Sequence, residues 1–201
     1  MTSLRELAEE AASCTRCELY RRATATVFGE GRSQARLVLV GEQPGDAEDK
    51  QGHPFVGPAG KLLDRALQDS GIRREDAYVT NAVKHFKWEP RGKRRIHQRP
   101  NGSEIKACRH WLEAELEVID PRVVVALGAT AGVSLFGSHF RVGERRGHVE
   151  EADVGPWTGL VVSTIHPSAV LRAPDQQTRE SAYAGFVADL SMAGKAAARS
   201  A

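Results

Sequence analysis

The sequence has few cysteines and no long apolar stretch. Three cysteines among 201 residues cannot build a paired disulfide framework. No apolar run approaches the roughly 20 residues that a membrane-spanning helix needs. The N-terminus also lacks the charged start and apolar core of a secretory signal. We therefore expect a cytoplasmic protein that is neither inserted into a membrane nor secreted.

Neither sign of charge is in large excess, since 28 lysines and arginines face 26 acids for a net charge of +2. A balance this small says little about nucleic acids, so the distribution of charge matters more than its sum. Between Lys84 and Arg99 seven basic residues accompany a single acid, Glu89. Within this stretch, the segment Lys93–Arg99 carries His97 and is too polar for a core. It predicts a surface loop that binds at least phosphate groups.

A composition of 41% hydrophobic and 27% charged residues is ordinary for a globular protein. A chain of 201 residues is long enough for one domain with a sizeable core, and no break in composition requires two. We therefore predict a single domain over residues 1–201.

Strand and helix patterns alternate along the chain. Four apolar segments rich in β-branched residues are predicted strands: residues 35–41, 77–83, 122–128 and 160–165. Amphipathic spacing predicts helices at residues 4–13, 59–71, 103–119, 129–136 and 179–198, with Ser103 as the N-cap of the third. This alternation predicts an α/β protein with three layers, α/β/α, around a central four-stranded parallel sheet.

Polar side chains stand where three of these strands end. Glu42 and Gln43 follow the first strand, Asn81 lies near the end of the second, and His166 follows the fourth. Each residue alone has an ordinary explanation as a cap or a strand end. The carboxyl ends of parallel strands border the ligand crevice of an open α/β sheet. Together the four residues therefore predict one pocket lined by an acid, two amides and an imidazole.

The cysteines form a second pattern, Cys14-x-x-Cys17 with a distant Cys108. This pattern indicates a soft-metal site with one ligand missing, and His85, just past the second strand, is the candidate for the fourth. A redox pair is the alternative, although the motif follows a helix rather than a strand. Zinc and an iron–sulfur cluster fit the spacing equally well.

Several motifs together resemble the uracil-DNA glycosylase superfamily. They are the Cys-x-x-Cys motif, Gly41-Glu-Gln-Pro-Gly45, the stretch from Gly52 to Leu63, Val79-Thr-Asn-Ala-Val-Lys84, Ala107-Cys108 and His166-Pro-Ser168. The resemblance is to the iron–sulfur, family 4-like branch and covers nearly the whole chain. His85 stands where ordinary family 4 enzymes have cysteine, and those enzymes lack the Lys-Arg-Arg-Ile-His insertion that ends at His97. Both departures resemble the UdgX type, which becomes covalently joined to uracil-containing DNA through the histidine of that loop.

The resemblance implies that uracil is flipped out of DNA into the pocket and excised there. Phe55 would stack on the base, Asn81 would read uracil N3–H and O4, and His166 would bind O2 together with the backbone around Gln43. The implied substrate-binding residues are Gly41, Gln43, Asp46, Phe55 and Asn81. The implied cofactor is a [4Fe-4S] cluster on Cys14, Cys17, His85 and Cys108.

Departure of the base leaves a sugar that is electrophilic at C1′, and we predict that His97 captures it in place of water. Glu42 would orient His97, take up its proton or act on the sugar cation, and these roles stay open. His166 completes the predicted catalytic set. The implied DNA contacts are Lys93, Arg94, Arg95, Arg99 and Ser168. The simpler alternative makes His97 one more phosphate donor.

We therefore predict a monomer that excises uracil from single- or double-stranded DNA and then traps itself on the abasic product. Two alternatives are kept. A conventional glycosylase would turn over and release free abasic DNA. A non-catalytic, metal-stabilised protein would bind damaged DNA without releasing uracil.

Overall fold

The computed structural model describes residues 2–199; Met1, Ser200 and Ala201, which the single-domain prediction includes, lie outside them. Its strands are β1 (Glu30–Gly31), β2 (Leu37–Gly41), β3 (Ala77–Asn81), β4 (Trp88–Arg91), β5 (Arg94–His97), β6 (Val123–Leu127), β7 (Val149–Val154) and β8 (Trp157–Thr164). Its α-helices are α1 (Leu4–Ala11), α2 (Asp46–Gln51), α3 (Pro58–Asp69), α4 (Gly102–Ile119), α5 (Ala129–Phe136), α6 (Val142–Arg145), α7 (Pro167–Leu171) and α8 (Gln176–Ala198). None of these helices is long and apolar enough to span a membrane.

Six strands form the central sheet in the order β1-β3-β2-β6-β8-β7. The four inner strands are parallel and are the four that the sequence predicts. β1 and β7 pair antiparallel at the two edges, so the predicted all-parallel sheet of four strands was incomplete and the sheet is mixed. The sequence does not predict β1 because this strand has only two residues. It does not predict β7 because Glu150, Glu151 and Asp153 are acids that are typical of a polar connection.

Helices cover both faces of the sheet. Because side chains alternate along a strand, Leu37 and Leu39 of β2 pack with α3 and α8, whereas Val38 and Val40 pack with α4 and α5. All four side chains are buried. Their uninterrupted apolar sequence is the pattern expected of a strand covered on two sides. The predicted α/β/α architecture is therefore confirmed.

The N-terminus of α4 differs from the prediction, because Asn101 and not Ser103 is the N-cap. Asn101 Oδ1 accepts a hydrogen bond from the Glu104 backbone N–H at 2.9 Å, and Glu104 Oε2 accepts one from the Asn101 N–H at 2.7 Å. This reciprocal capping box satisfies two backbone donors at once. Ser103 lies inside the first turn and donates its hydroxyl to Asn101 Oδ1.

The basic segment predicted as a loop is a β-hairpin. β4 and β5 form a separate two-stranded antiparallel sheet, and Gly92 in the turn between them has a positive φ of 60°. The register pairs Trp88 with His97. His97 therefore stands at the base of the hairpin, next to the body of the molecule, and not at its tip.

Candidate active site

A cavity of about 1000 Å³ lies where the parallel strands end. Nine predicted site residues line it: Glu42, Gln43, Asp46, Phe55, Asn81, His97, Arg99, His166 and Ser168. The structure thus brings together the acid, the amides and the imidazole expected at the strand ends. Lys93, Arg94 and Arg95 of the hairpin lie outside this lining.

The floor of the cavity forms where the end of β2 meets Phe55. A Cβ atom at Gly41 would collide with the Phe55 ring and with Asn81 Oδ1, so this close approach requires glycine. Phe55 has a left-handed backbone, with φ of 58°, and Gly60 packs against its carbonyl group. The Phe55 ring faces His166, with a centroid distance of 6.3 Å and an interplanar angle of 28°.

Asn81, the last residue of β3, is 3% exposed and borders the cavity. The Ala82 N–H donates to the Gly41 carbonyl at 2.9 Å, which fixes the backbone just beyond it. The Asn81 carboxamide takes part in none of the hydrogen bonds formed among residues 2–199. The acceptor oxygen and the donor nitrogen are therefore both available to a bound molecule.

His166 is fixed in orientation and protonation by the start of α7. Its Nδ1 accepts a hydrogen bond from the Ser168 backbone N–H at 3.1 Å, and the Ser168 hydroxyl lies 2.8 Å from the same atom. Burial lowers the pKa of His166 to about 4, so the ring is neutral at physiological pH. Because Nδ1 is an acceptor, the ring proton is on Nε2, and Nε2–H is the donor that His166 offers to the cavity.

Glu42 and His97 form a pair on the wall of the cavity. His97 Nε2 lies 3.2 Å from Glu42 Oε1, and Thr130 Oγ1 donates a hydrogen bond of 2.5 Å to Glu42 Oε2. Burial opposes ionisation of Glu42, but the hydrogen bonds from His97 and Thr130 outweigh it and hold the pKa of this carboxyl below its ordinary value. The half-exposed imidazole is therefore oriented by a charged carboxylate.

The Gln43 side chain holds the base of the hairpin. Its Oε1 accepts a hydrogen bond from the Lys87 N–H at 3.0 Å, and its Nε2 donates to the Gln98 carbonyl at 2.9 Å. Lys87 precedes β4 and Gln98 follows β5, so the single Gln43 amide is hydrogen-bonded to the outer ends of both strands. The amide is thereby occupied, which leaves the backbone of Gln43 as the part available to a bound base.

Arg95 points inward, and this placement differs from the expected phosphate contact. Its guanidinium donates to Asp46 Oδ1 at 2.5 Å and to Asp49 Oδ2 at 2.6 Å. It also lies against the rings of Phe86 and Trp88, and only 16% of the side chain is exposed. Two carboxylates thus take up the donors that a phosphate would need. Arg95 ties β5 to α2, and Asp46 is engaged in the same contact.

Three other predicted phosphate-binding cations are exposed. Lys93 lies in the turn of the hairpin, and Arg94 follows it as the first residue of β5. Arg99 follows the hairpin, and its Nε lies 3.9 Å from Glu42 Oε2. Arg99 borders the cavity, whereas Lys93 and Arg94 lie at the turn end of the hairpin, away from His97 at its base.

The cysteines lie in the core cluster beneath α1, but within residues 2–199 no three metal-binding side chains stand close enough to form a ready-made site. Cys108 Sγ accepts a hydrogen bond from the Lys84 N–H at 3.1 Å, and Cys14 Sγ accepts one from the Trp111 indole N–H at 3.2 Å. Such outer N–H donors support thiolate ligands. Burial raises the pKa of Cys108 to about 12, so the thiol keeps its proton unless a metal displaces it.

His85 has one ring nitrogen without a partner. Its Nδ1 is buried and unbonded among the described residues, whereas its Nε2 lies 2.9 Å from Thr26 Oγ1. Burial lowers the pKa of His85, so the ring is neutral. A second cavity, of about 200 Å³, borders both His85 and Cys14. A buried, unpaired imidazole nitrogen near cysteines fits the donor set of a soft-metal or cluster site.

Comparisons with known proteins decide the family. A family model described as "Uracil DNA glycosylase superfamily" matches residues 28–191. The Type-4 uracil-DNA glycosylase of Thermotoga maritima is 43% identical over 177 residues, which cover 86% of this chain and 85% of that protein. This chain belongs to the uracil DNA glycosylase superfamily. The Type-4 uracil-DNA glycosylase of Archaeoglobus fulgidus is 39% identical over 190 residues, or 92% of this chain and 91% of that protein.

Sequence reasoning missed two residues of this superfamily member's site, Thr130 and Asp49. Thr130 reaches Glu42 from the first turn of α5, directly after β6. Gly128 directly follows β6 at the same edge of the sheet, and that glycine is a signal that points to the residues after it. Asp49 lies three residues after Asp46 on α2, so the two carboxylates share a face of the helix and meet one arginine.

Proposed function

We propose that this protein is a uracil-DNA glycosylase of the UdgX type, which excises uracil and then forms a bond between His97 and C1′ of the abasic site. Two relatives named as Type-4 uracil-DNA glycosylases are similar over most of the chain. The observation that carries the second half of the proposal is the 3.2 Å contact between His97 Nε2 and Glu42 Oε1 on the cavity wall. An imidazole beside a charged carboxylate on the cavity wall supports the proposal that His97 is the nucleophile.

Recognition of the base rests on Asn81 and Phe55. The carboxamide offers an acceptor for uracil N3–H and a donor for O4, whereas cytosine would present the opposite pattern. The Phe55 ring supplies a flat apolar surface for stacking. The absence of a side chain at Gly41 leaves the floor between the two open. A flipped uracil thereby meets a complementary pocket at little cost in rearrangement.

Excision breaks the bond between uracil N1 and C1′. The electron pair stays on the base, so negative charge develops on the leaving uracil, and at O2 it is met by the Nε2–H donor of neutral His166. Positive charge develops at the sugar as the bond breaks. The Glu42 carboxylate, which is held by Thr130 and lies beside His97, is the negative group on the cavity wall that would face this charge. The released uracil anion takes a proton from solvent.

Capture forms a new bond between an imidazole nitrogen of His97 and C1′. The nitrogen lone pair supplies the electrons, and the resulting positive charge on the ring lies beside Glu42. An oriented imidazole competes with water because its position is already fixed by the hairpin. Gln43 and Arg95 hold that hairpin against the body of the protein, so both act as positioning residues.

The exposed cations of the hairpin are proposed to bind the DNA backbone. Arg99 borders the cavity near Glu42, whereas Lys93 and Arg94 lie toward the turn of the hairpin, so phosphates bound to these cations would follow the hairpin outward from the pocket. Arg95 takes no part in this contact, because its donors are occupied by Asp46 and Asp49.

Incubation with single-stranded DNA containing one uracil tests the function. We expect free uracil equal to the enzyme added, and a protein–DNA species that survives denaturing electrophoresis. Abasic DNA accumulating well beyond one equivalent would instead identify a conventional turnover glycosylase. Retention of DNA without any uracil release would identify a damaged-DNA-binding protein and reject the proposal.

We further propose that Cys14, Cys17, His85 and Cys108 hold a [4Fe-4S] cluster. The unpaired Nδ1 of His85 and the N–H donors on Cys14 and Cys108 support this assignment. A bound cluster would brace the segments that carry these ligands. Thr26 lies 2.9 Å from the other nitrogen of His85 and so orients the ring toward ligation.

Spectroscopy and elemental analysis test the cluster. We expect visible absorbance with iron and inorganic sulfide in the purified protein, and loss of both in His85→Ala. His110→Ala is the matched control, because His110 lies near Trp111 but outside the proposed ligand set. Zinc in place of iron, or an unchanged iron content in His85→Ala, would reject the assignment.

A further inference from the structure

A fully buried ion pair lies next to Asn81. Lys84 and Glu115 are both 0% exposed, and Lys84 Nζ donates to Glu115 Oε2 at 2.6 Å. The same ammonium group donates to Thr80 Oγ1 at 2.5 Å and to the Asn81 carbonyl at 2.9 Å. An ammonium group has three donors, so every donor of Lys84 is used.

Glu115 is also fully hydrogen-bonded. Its Oε1 accepts from the Tyr78 hydroxyl at 2.9 Å, from Thr80 Oγ1 at 2.9 Å and from the Gly29 N–H at 3.1 Å. Burying two charges carries a desolvation cost that their mutual attraction only partly offsets, and apolar residues of similar size often stabilise a fold as well. Stability alone therefore gives little reason for a lysine at this position.

The position of Lys84 gives a better reason. Beyond Asn81 the chain is held by two backbone bonds, from the Ala82 N–H to the Gly41 carbonyl at 2.9 Å and from the Val83 N–H to the Glu42 carbonyl at 3.0 Å. The Lys84 ammonium adds a third contact, on the Asn81 carbonyl itself. With this peptide group fixed, the Asn81 carboxamide keeps only its own two side-chain torsions.

Lys84 is anchored at its other end as well. Its backbone N–H donates to Cys108 Sγ at 3.1 Å, so one residue joins the uracil pocket to the cysteine region. We propose that Lys84 is a positioning residue for base recognition, whose ammonium group holds the Asn81 backbone so that the carboxamide meets uracil in register. This inference rests on the proposed uracil-excising function.

Two variants separate positioning from simple stabilisation. Glu115→Gln removes the buried negative charge but keeps Lys84 and its bond to Asn81. The double variant Lys84→Met, Glu115→Gln differs from it only at Lys84 and loses that bond. Thermal unfolding of both, and their affinity for uracil-free DNA, show whether each is folded at the assay temperature.

Single-turnover uracil release is then compared between the two folded variants. We expect the double variant to be about 10- to 100-fold slower than Glu115→Gln, because small misplacements of a contact group cost rates of that order. Affinity for uracil-free DNA should be the same in both, because the exposed hairpin cations are unchanged. Equal rates of uracil release would overturn the inference.

A wild-type protein that releases no uracil would reject the proposed function rather than this inference. Crystal structures of the two variants then decide. A displaced Asn81 carboxamide in the double variant alone would support the positioning role. An unchanged Asn81 in both variants would overturn it.

Discussion

His166 shows how one residue's surroundings set its chemistry. The Ser168 amide takes its Nδ1 lone pair, and burial lowers its pKa to about 4. The same imidazole exposed to water would be partly charged near pH 6.5. In this position it is a neutral donor that can bind a developing oxyanion without carrying a charge of its own.

The lowered pKa of His166 makes folding stability dependent on pH. Between its ordinary pKa of 6.5 and its folded pKa of about 4, the unfolded chain binds a proton that the folded protein does not. Stability should therefore fall as the pH falls through this range, by up to about 2 kcal/mol between pH 6.5 and pH 5. Urea unfolding of wild type and His166→Gln at pH 7, 6 and 5 measures this contribution. Glutamine cannot titrate, so identical pH dependence in the two proteins would contradict the account.

At the scale of elements, the hairpin of β4 and β5 is held by few contacts. Gln43 clamps its base, and Arg95 bridges from β5 to two carboxylates of α2. Asn81, Phe55 and His166, the residues proposed for excision, belong to the body of the protein. Excision and capture should therefore respond differently to a change in the hairpin.

Arg95→Met tests this separation. It removes both ion pairs and leaves Asp49, whose side chain is fully buried, without its cation. We expect adduct formation to slow by about 10- to 100-fold through misplacement of His97, with a smaller effect on uracil release. Rapid-quench measurement of both products checks this. Arg94→Met, on the same strand but exposed, is the control and should change DNA affinity alone. Equal losses of excision and capture in Arg95→Met would contradict the separation.

Prediction from sequence succeeded best for the inner strands. β2, β3 and β6 are buried at every position, and the continuous apolar runs of β2 and β6 stand out from the rest of the chain. The hairpin strands carry Pro90 and several charges and lack an apolar face of the usual kind. Their structure depends on contacts with Gln43 and α2, which no local pattern contains.

At the scale of the whole molecule, the pocket was predictable because a parallel sheet brings its strand ends to one edge. Glu42, Asn81 and His166 are far apart in sequence, yet they line one cavity for that topological reason. The inward direction of Arg95 was not predictable, because it follows from the packing of α2 against the hairpin. A run of basic residues in a sequence does not distinguish which of them face solvent.

Because the net charge is only +2, the proposed DNA binding depends on local cations. Replacing Lys93 and Arg94 by alanine should weaken binding to uracil-free single-stranded DNA and reduce its salt slope, d log K/d log[salt], by about 1.4 in magnitude. Binding titrations at several salt concentrations measure this slope. Arg5 and Arg65, exposed cations outside the cavity and hairpin, provide the matched double-alanine control. A slope equal to that of the control would place the DNA elsewhere on the surface.

The central claim is that His97 captures the sugar, and denaturing electrophoresis after incubation with single-stranded uracil DNA tests it most directly. Wild type and His139→Ser, in which an exposed histidine outside the cavity is replaced, should both give the protein–DNA species. His97→Ser should give none, while still releasing uracil and leaving abasic DNA. An undiminished protein–DNA species in His97→Ser would contradict the assignment of His97 as the nucleophile.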